Sequence, residues 1–493
     1  MPALAAAALV FLSSAAVLVL EILAARLLAP YVGDTLETYT AIIGVILGGI
    51  ALGSWLGGRA ADRHEPRGLI APLLIGGGAL AFTSIPLVDG LGAGLRGAGA
   101  TTTTIITVAA FFLPAAVLSG VTPVVIKIQL ASLEETGRVV GRLSALSTTG
   151  AIIGTFVTGY LLVAAFPTRS VIRVTAVLLI VLGIASAIAL RRGRGGSVGG
   201  VVVVLAAGAF SFAASHPCDL ESAYYCAYVE QDPDRPGGRA LWLDTLRHSY
   251  VDLDDPSHLE FDYTAWFGDV IGAVADGDEP LTSLHLGGAG FTMPRYLREE
   301  HPGSTSTVLE LDPLIVDIAR DELGLTLRDD IEVLIGDART SVERLPSDTY
   351  ELVIGDAFGG IAVPWHLATR EFIDEVAHTM TDDGVWVVNI VDYGPRSFLR
   401  AELATLRSAF DDVAVIGRDG AFGDAPGRTA GNFVAIATDA SIPVDEVVAA
   451  NRARGRDDVV LHGERLEAFV GEAQVLTDDY APVDQLLTPR PTR

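Results

Sequence analysis

A chain of 493 residues exceeds one ordinary domain. Half of those residues are hydrophobic and the mean hydropathy is +0.44, which excludes a typical soluble protein and calls for membrane segments. The formal net charge of −26 is uneven: residues 1–215 carry 13 basic and 8 acidic residues and the remainder 21 and 52, so a half of net charge −31 excludes nucleic acid as a partner.

Lys127 is the only lysine among the 34 basic residues. An acidic, lysine-poor, Ala/Gly/Val-rich surface suits a high-salt cytoplasm of the halophile type, where dense carboxylates hold water and counterions. A GC-rich genome accounts for the missing lysine but not for the excess acid.

Apolar stretches fill residues 4–28, 39–58, 69–88, 102–131, 144–166, 171–190 and 199–214. Six reach the roughly 20 helical residues that a ~30 Å bilayer core takes, and the seventh suits a thinned or tilted region. About seven helices over 1–215 are therefore expected, forming a multi-pass domain in a cell membrane. The first is not expected to be a cleaved signal, because it lacks a basic leader and "EILAARLLAPYVG" follows it directly. Gly44, Gly48, Gly49, Gly53 and Gly57, and later Gly150, Gly154 and Gly159, recur at spacings that let helices approach closely. Glu21 and Arg26 read as a structural ion pair or as charges snorkelling to an interface. Pro114 and Pro123 predict a kink in the fourth span.

Basic residues cluster at Arg59, Arg63 and Arg67, at Lys127, Arg138 and Arg142, and at Arg191, Arg192 and Arg194. These are alternate loops, so the positive-inside rule puts all of them, and the N-terminus, in the cytoplasm. Seven spans then place the acidic half outside; if 199–214 does not cross, that half is cytoplasmic. Cys218 and Cys226, the only cysteines, either form a disulfide, which favours an external face, or are two buried thiols. Two cysteines alone do not make a structural zinc site, and no metal is expected.

Residues 216–265 read as a small β-rich lead-in, with "SAYYCAYVEQ" and "RALWLDTLRHSYVDL" as strands around the turn "DPDRPGG". From 266 to 493 strands alternate with helices: "LTSLHLGG", "STVLELD", "IEVLIGD", "YELVIGD", "VWVVNIVD" and "NFVAIATD" are the strands. Nearly continuous apolar strands between helices predict a parallel sheet covered on both faces, with ligands beyond the C-terminal strand ends. Those ends form a series. The first ends in Gly287 and Gly288, where a ligand can approach the backbone. The second ends in Glu310, placed to accept ribose hydroxyls. The third ends in Asp337 and Ala338, with Asp337 able to accept from the amine of a base. The fourth ends in Asp356. Each feature alone is weak, since strand-end acids often cap helices; four in order describe a nucleoside site for a ligand of the S-adenosylmethionine type.

"LWLDTLRHSYVD", "LGGAGFTMPRYL", "VLELDP", "IGDAR", "LVIGDAFGGIAVPWHLATREF" and "LTDDYAPVDQLL" together resemble the spermidine synthases, the polyamine aminopropyltransferases. The resemblance covers about 220–487. With "EILAARLLAPYVG" and "STTGAIIGTFVTGYLL" the whole chain is similar to the fused MFS/spermidine synthase proteins. It implies a multi-pass α-helical membrane domain followed by a Rossmann-like, class I methyltransferase-like α/β domain. It further implies decarboxylated S-adenosylmethionine as co-substrate, with no permanently bound cofactor, a small-molecule amine as acceptor, and a homo-oligomer. By motif, Glu310 would hold the donor's ribose, Asp337 its adenine, Asp356 would deprotonate or orient the attacking amine, and Tyr263 would stand near that amine. His248 occupies a position where the soluble enzymes usually carry Gln. Two departures concern the amines: the family places an acid at the positions of Gly290 and of Gly359. Asp392, or Asp478 and Asp479, could replace them, or are simply solvated acids. The reading that follows is a membrane-anchored aminopropyltransferase. Its alternatives are another S-adenosylmethionine-dependent transferase, and a transporter or sensor that binds a nucleoside or polyamine without catalysis.

Overall fold

A computed structural model describes the chain except residues 34–35, 95–98, 131, 191–197, 215–216, 276, 361, 424–430 and 488–493. The arginines expected to mark the sixth loop (Arg191, Arg192, Arg194) lie outside the described residues. The chain divides into two compact units, Met1–Ala227 and Tyr228–Arg493.

In the first unit, six described helices are long and apolar enough to cross a membrane: α1 (Ala3–Val32), α2 (Leu36–Arg63), α3 (Pro66–Gly94), α4 (Thr101–Gln129), α5 (Thr136–Ala165) and α6 (Thr168–Leu190). A shorter helix follows, α7 (Val198–Ala213). The small residues have the packing role their spacing predicts. A Cβ on Gly53 would lie 1.9 Å from the carbonyl oxygen of Ala116, and one on Gly150 would lie 2.3 Å from that of Phe11, so α2 meets α4, and α5 meets α1, backbone to backbone. Gly44 and Gly159 face open space instead. In α4 the ladder slips into a π-helical turn at Val108–Phe112, immediately before Pro114, which has no N–H to continue it.

Of the two readings of Glu21 and Arg26, the ion pair is not formed among the described residues. Arg26 instead reaches the chain beyond the helices, 3.8 Å from Glu221, and donates to the carbonyl oxygens of Ser222 and Ala223. At the same end of the bundle Tyr31 donates to Asp89 at 2.9 Å and Arg169 to Asp89 at 2.5 Å. Cys218 and Cys226 are joined as a disulfide that closes the short β1 (Leu220–Glu221) onto β2 (Cys226–Gln231).

The four-stranded sheet β1-β2-β3-β4 is completed by β3 (Gly238–Leu243) and β4 (Leu246–Asp252), which form a hairpin. Its strands fall within residues 216–265, which the sequence reads as a β-rich lead-in. Helix α8 (Asp262–Val274) leads into an eight-stranded sheet of order β12-β10-β11-β9-β8-β5-β6-β7. Its elements run β5 (Thr282–Leu286), α9 (Thr292–Glu300), β6 (Thr305–Glu310), α10 (Pro313–Asp321), β7 (Ile331–Ile335), α11 (Ala338–Val342), β8 (Tyr350–Gly355), α12 (Arg370–Thr379), β9 (Met380–Asp392), α13 (Ser397–Ala409), β10 (Asp412–Gly417), β11 (Gly431–Thr438), α14 (Val444–Ala453), β12 (Val459–His462), α15 (Glu464–Val470) and α16 (Val483–Leu486).

Strands β5 to β9 pair in parallel as predicted, but β10, β11 and β12 pair antiparallel. The sheet is therefore mixed. Among the described residues no helix separates β10 from β11, and the two strands run in opposite directions. The order reverses where β5 sits between β6 and β8, and in open α/β sheets ligands bind beyond the C-terminal strand ends at such a switch point. This is a Rossmann-like, methyltransferase-type α/β domain.

Candidate active site

The turn after β5 is held in a costly shape. Gly287 has φ +97°, and Ala289 and Phe291, which are not glycines, have φ +42° and +55°. Non-glycine residues in that region cost of order 1 kcal/mol or more each, and such strain gathers where backbone is shaped for a ligand. A Cβ on Gly287 would stand 2.7 Å from the carbonyl oxygen of Asp356, so the ends of β5 and β8 touch through a glycine. Glu310 clamps this turn. One carboxylate oxygen accepts from the N–H of Gly288 at 2.9 Å and of Ala289 at 3.3 Å, and the other from the N–H of Asp312 at 2.8 Å. Burial raises its proton affinity, and these three donors oppose the rise. Of about four acceptor positions on a carboxylate, three are taken by backbone, so Glu310 shapes the glycine turn and keeps about one position beyond it.

Asp337 caps α11, accepting from the N–H of Thr340 at 3.3 Å, and its other oxygen lies 3.0 Å from His366 Nε2. No sequence pattern pairs these two; His366 arrives on a short 3-10 turn, Trp365–Leu367, between β8 and α12. Ala338 is buried as the first residue of α11 and packs into the core beneath the site.

Asp356 follows β8 directly and is partly exposed at the crevice. Its Oδ1 accepts from Asn389 Nδ2 on β9 at 2.9 Å, and Tyr263, buried on α8, hydrogen-bonds to the same carboxylate. Close packing pushes the Asp356 carboxyl up to about 6, against the pull of its two donors. The Tyr263 phenol is pushed well above its ordinary range by burial and by the adjacent carboxylate, so it remains a donor. The predicted pair of Asp356 and Tyr263 is thus brought together. Asn389 was not singled out from the sequence, although "VWVVNIVD" sets one polar residue inside an apolar strand that occupies the centre of the sheet, and such a residue needs a buried partner.

His248 lies on β4, and burial lowers its imidazole to about 4, so it is neutral at physiological pH. Its neighbour Ser249 seals the position where the family carries an acid: a Cβ on Gly290 would lie 2.4 Å from Ser249 Oγ. Ser249 also lies 3.1 Å from Thr292 Oγ1. A side chain at Gly290 would require the Ser249 side chain to give way. Gly359 is different, since a Cβ there would meet nothing closer than Pro364 at 3.8 Å.

The acids considered as replacements are engaged elsewhere. Asp392 accepts from the N–H groups of Tyr393 at 2.6 Å and Leu399 at 2.8 Å, so it anchors the start of α13. Asp478 is bound by Arg339 at 2.8 Å and Thr369 at 2.7 Å, while Asp479 is exposed on the adjoining turn. Among the described residues, no three His, Cys, Asp or Glu side chains cluster as a metal ion would need.

No protein-family model matches the chain. Among curated proteins it is 32% identical over 136 residues to the polyamine aminopropyltransferase of Vibrio vulnificus, a match covering 27% of this chain and 45% of that one. It is also 23% identical over 128 residues to the eEF1A lysine and N-terminal methyltransferase of Danio rerio, covering 24% of this chain and 19% of that one. The chain therefore spans less than half the length of either relative. Among solved structures, a probable spermidine synthase from Corynebacterium glutamicum aligns with a TM-score of 0.49 at 24% identity, over 53% of this chain and 95% of that one. Over part of its length, the chain is homologous to the polyamine aminopropyltransferases.

Proposed function

We propose that the soluble half transfers an aminopropyl group from decarboxylated S-adenosylmethionine to an amine. The observation that carries this is Asp356, a carboxylate at the switch-point crevice with two donors and a proton affinity raised towards neutrality. An amine arrives as an ammonium ion and must lose a proton before it can attack. Asp356, ionised near pH 7, takes that proton and passes it to water at the open crevice. The freed nitrogen lone pair then forms a C–N bond to the carbon beside the donor's sulfonium. The C–S bond breaks, its electron pair returns to sulfur, and methylthioadenosine leaves as a neutral thioether. Holding the nitrogen in line with that bond supplies much of the rate. The Tyr263 hydroxyl fixes the carboxylate from the α8 side. The glycine turn and Glu310 cradle the nucleoside, and Asp337 with His366 borders its base.

Methyl transfer from S-adenosylmethionine is a second reading. Gly290 supplies no acid that would favour a donor with a free amine and no carboxylate, and Ser249 crowds the position; the likeness to the Danio rerio methyltransferase points the same way. One experiment separates them. Detergent-solubilised full chain is incubated with either donor and with putrescine, agmatine or spermidine. Methylthioadenosine formed from the decarboxylated donor is expected. S-Adenosylhomocysteine from S-adenosylmethionine alone would replace the first reading by the second, and donor binding without either product would leave a non-catalytic binding protein.

The helical half is proposed to anchor the enzyme in a cell membrane, with the soluble half outside the cytoplasm. Support comes from the two ends of the bundle. Lys127 pairs with Asp62 at 2.8 Å and Gln129 reaches the Met1 carbonyl at 3.4 Å, so the N-terminus shares an end with the basic loops, the end the positive-inside rule makes cytoplasmic. At the opposite end, where α6 starts, Arg173 donates to the Ser211 carbonyl at 2.7 Å, so α7 runs back across the bundle before the chain reaches the Cys218–Cys226 disulfide. A disulfide persists on an oxidising face. After an impermeant reductant, an impermeant maleimide is expected to label these cysteines in intact cells. Labelling only after lysis would place the soluble half inside.

A further inference from the structure

The Asp356 carboxylate belongs to a longer polar chain. Asn389 Nδ2 donates to Asp356 Oδ1 at 2.9 Å, and the Oδ1 of Asn389 in turn accepts from Asn432 Nδ2 at 2.9 Å. The sheet sets this up. Gly355 pairs with Val388, so the residues that follow them, Asp356 and Asn389, stand side by side. On the other side β9 and β11 pair antiparallel with Asn389 opposite Val434, so Asn432 is the diagonal neighbour on the same face, within side-chain reach. That face is otherwise apolar: Val385, Val387, Val434 and Ile436 line it beneath α8. Asn389 is 3% exposed, so its amide has little recourse to water.

We propose that Asn389 and Asn432 are positioning residues that orient Asp356 for proton transfer, the Asn432 amide deciding which end of the Asn389 amide faces the carboxylate. An amide has one accepting and one donating end. While Asn432 donates to the Asn389 oxygen, the NH₂ of Asn389 is turned to Asp356 and favours its ionised form. One oxygen of Asp356 is then occupied, and the other is left to the Tyr263 hydroxyl and the incoming amine. With the pair reversed, the Asn389 carbonyl would face Asp356, which would have to keep a proton to satisfy it. The groups acting directly on Asp356 are Asn389 from β9 and Tyr263 from α8. The neighbouring strand-end carboxylates, Glu310 on β6 and Asp392 on β9, are held by backbone N–H groups.

This inference rests on Asp356 as the proton acceptor, and its test separates the two ideas. Three variants are compared in the full chain: Asn432→Asp, which can only accept and so turns the Asn389 amide round; Asn432→Leu, which removes the donor; and Asn432→Ser, whose hydroxyl can still donate. The protonation midpoint of Asp356 is read directly by infrared difference spectroscopy of its carboxyl band, with Asp356→Asn as the reference that lacks it. In parallel the pH profile of kcat/KM is recorded. The expected order of midpoints is wild type and Asn432→Ser lowest, Asn432→Leu above them, and Asn432→Asp highest, by about one pH unit or more. Near the wild-type midpoint Asn432→Asp then turns over about fivefold more slowly, and more slowly still for a larger shift, and recovers at higher pH. Equal midpoints in all three folded variants would overturn the relay. Midpoints in the expected order, in a protein that transfers no group from either donor, would uphold the relay and remove the catalytic reading.

Discussion

Asp356→Asn is expected to lower kcat for the transfer by two to four orders of magnitude, the usual worth of a positioned general base. The substitution is nearly isosteric. It keeps the space at the end of β8 and an oxygen for Asn389, but its amide cannot take a proton from an ammonium ion. Donor binding should change little, because the proposed nucleoside cradle draws on the ends of β5, β6 and β7, and Asp356 meets the end of β5 through backbone. The pH profile supplies the sharper check. In the wild type kcat/KM should fall on the acid side with a midpoint near 6, where an ordinary carboxylate would hold activity down to about pH 4. The sign follows from the role: the active form is ionised, so a raised proton affinity moves the loss of activity to higher pH. In Asp356→Asn the residual rate should lose that limb. A variant with near-wild-type kcat, or one that keeps the limb at its original midpoint, would mean that another group takes the proton.

Much of this site was legible because it is written at strand ends. Gly287, Glu310, Asp337 and Asp356 each follow an apolar run, and a parallel sheet brings such ends together whatever the loops do. Tyr263 was found by motif, and α8 delivers it to Asp356. The relay was harder to see. Asn389 and Asn432 are 43 residues apart and meet only because β11 inserts antiparallel beside β9. The strand alternation did not announce that reversal, and β10 lay unmarked between α13 and β11. His366 was likewise hidden, since a loop of irregular backbone carries it back to Asp337. The charges of the helical half misled in the opposite way. Glu21 and Arg26 are five residues apart within one apolar stretch and suggest a pair, yet Arg26 lies against Glu221, nearly two hundred residues later, a partner that no local pattern predicts.

One residue of the soluble half works against stability, and removing it should show as a gain. Glu402 sits mid-way along α13, whose stripe "FLRAELATL" reads as amphipathic with Phe398, Glu402 and Leu406 in one row. The row is buried: Phe398 and Leu406 are fully so, and Glu402 is 4% exposed. Among the described residues its Oε2 has no hydrogen-bond partner. Burial pushes the carboxyl up to about 8, so it folds as the neutral acid. In the unfolded chain it would titrate near 4.5. Below that value both states hold the proton and the site is indifferent to pH. As the pH rises from there towards 8, only the folded state must retain a proton that water would take, and stability is lost throughout that window. At about 1.4 kcal/mol per unit, the loss near pH 7 is of order 3 kcal/mol. Glu402→Leu fills a similar volume with no ionisable group. It is expected to raise the opening free energy of α13 and β9 by roughly that amount near neutrality, and by clearly less at pH 5. Hydrogen exchange of the full chain in detergent measures both, and Glu402→Gln, neutral at every pH, should show the same pH dependence of the gain. A gain equal at the two pH values would mean that packing, and not the buried proton, sets the cost of Glu402.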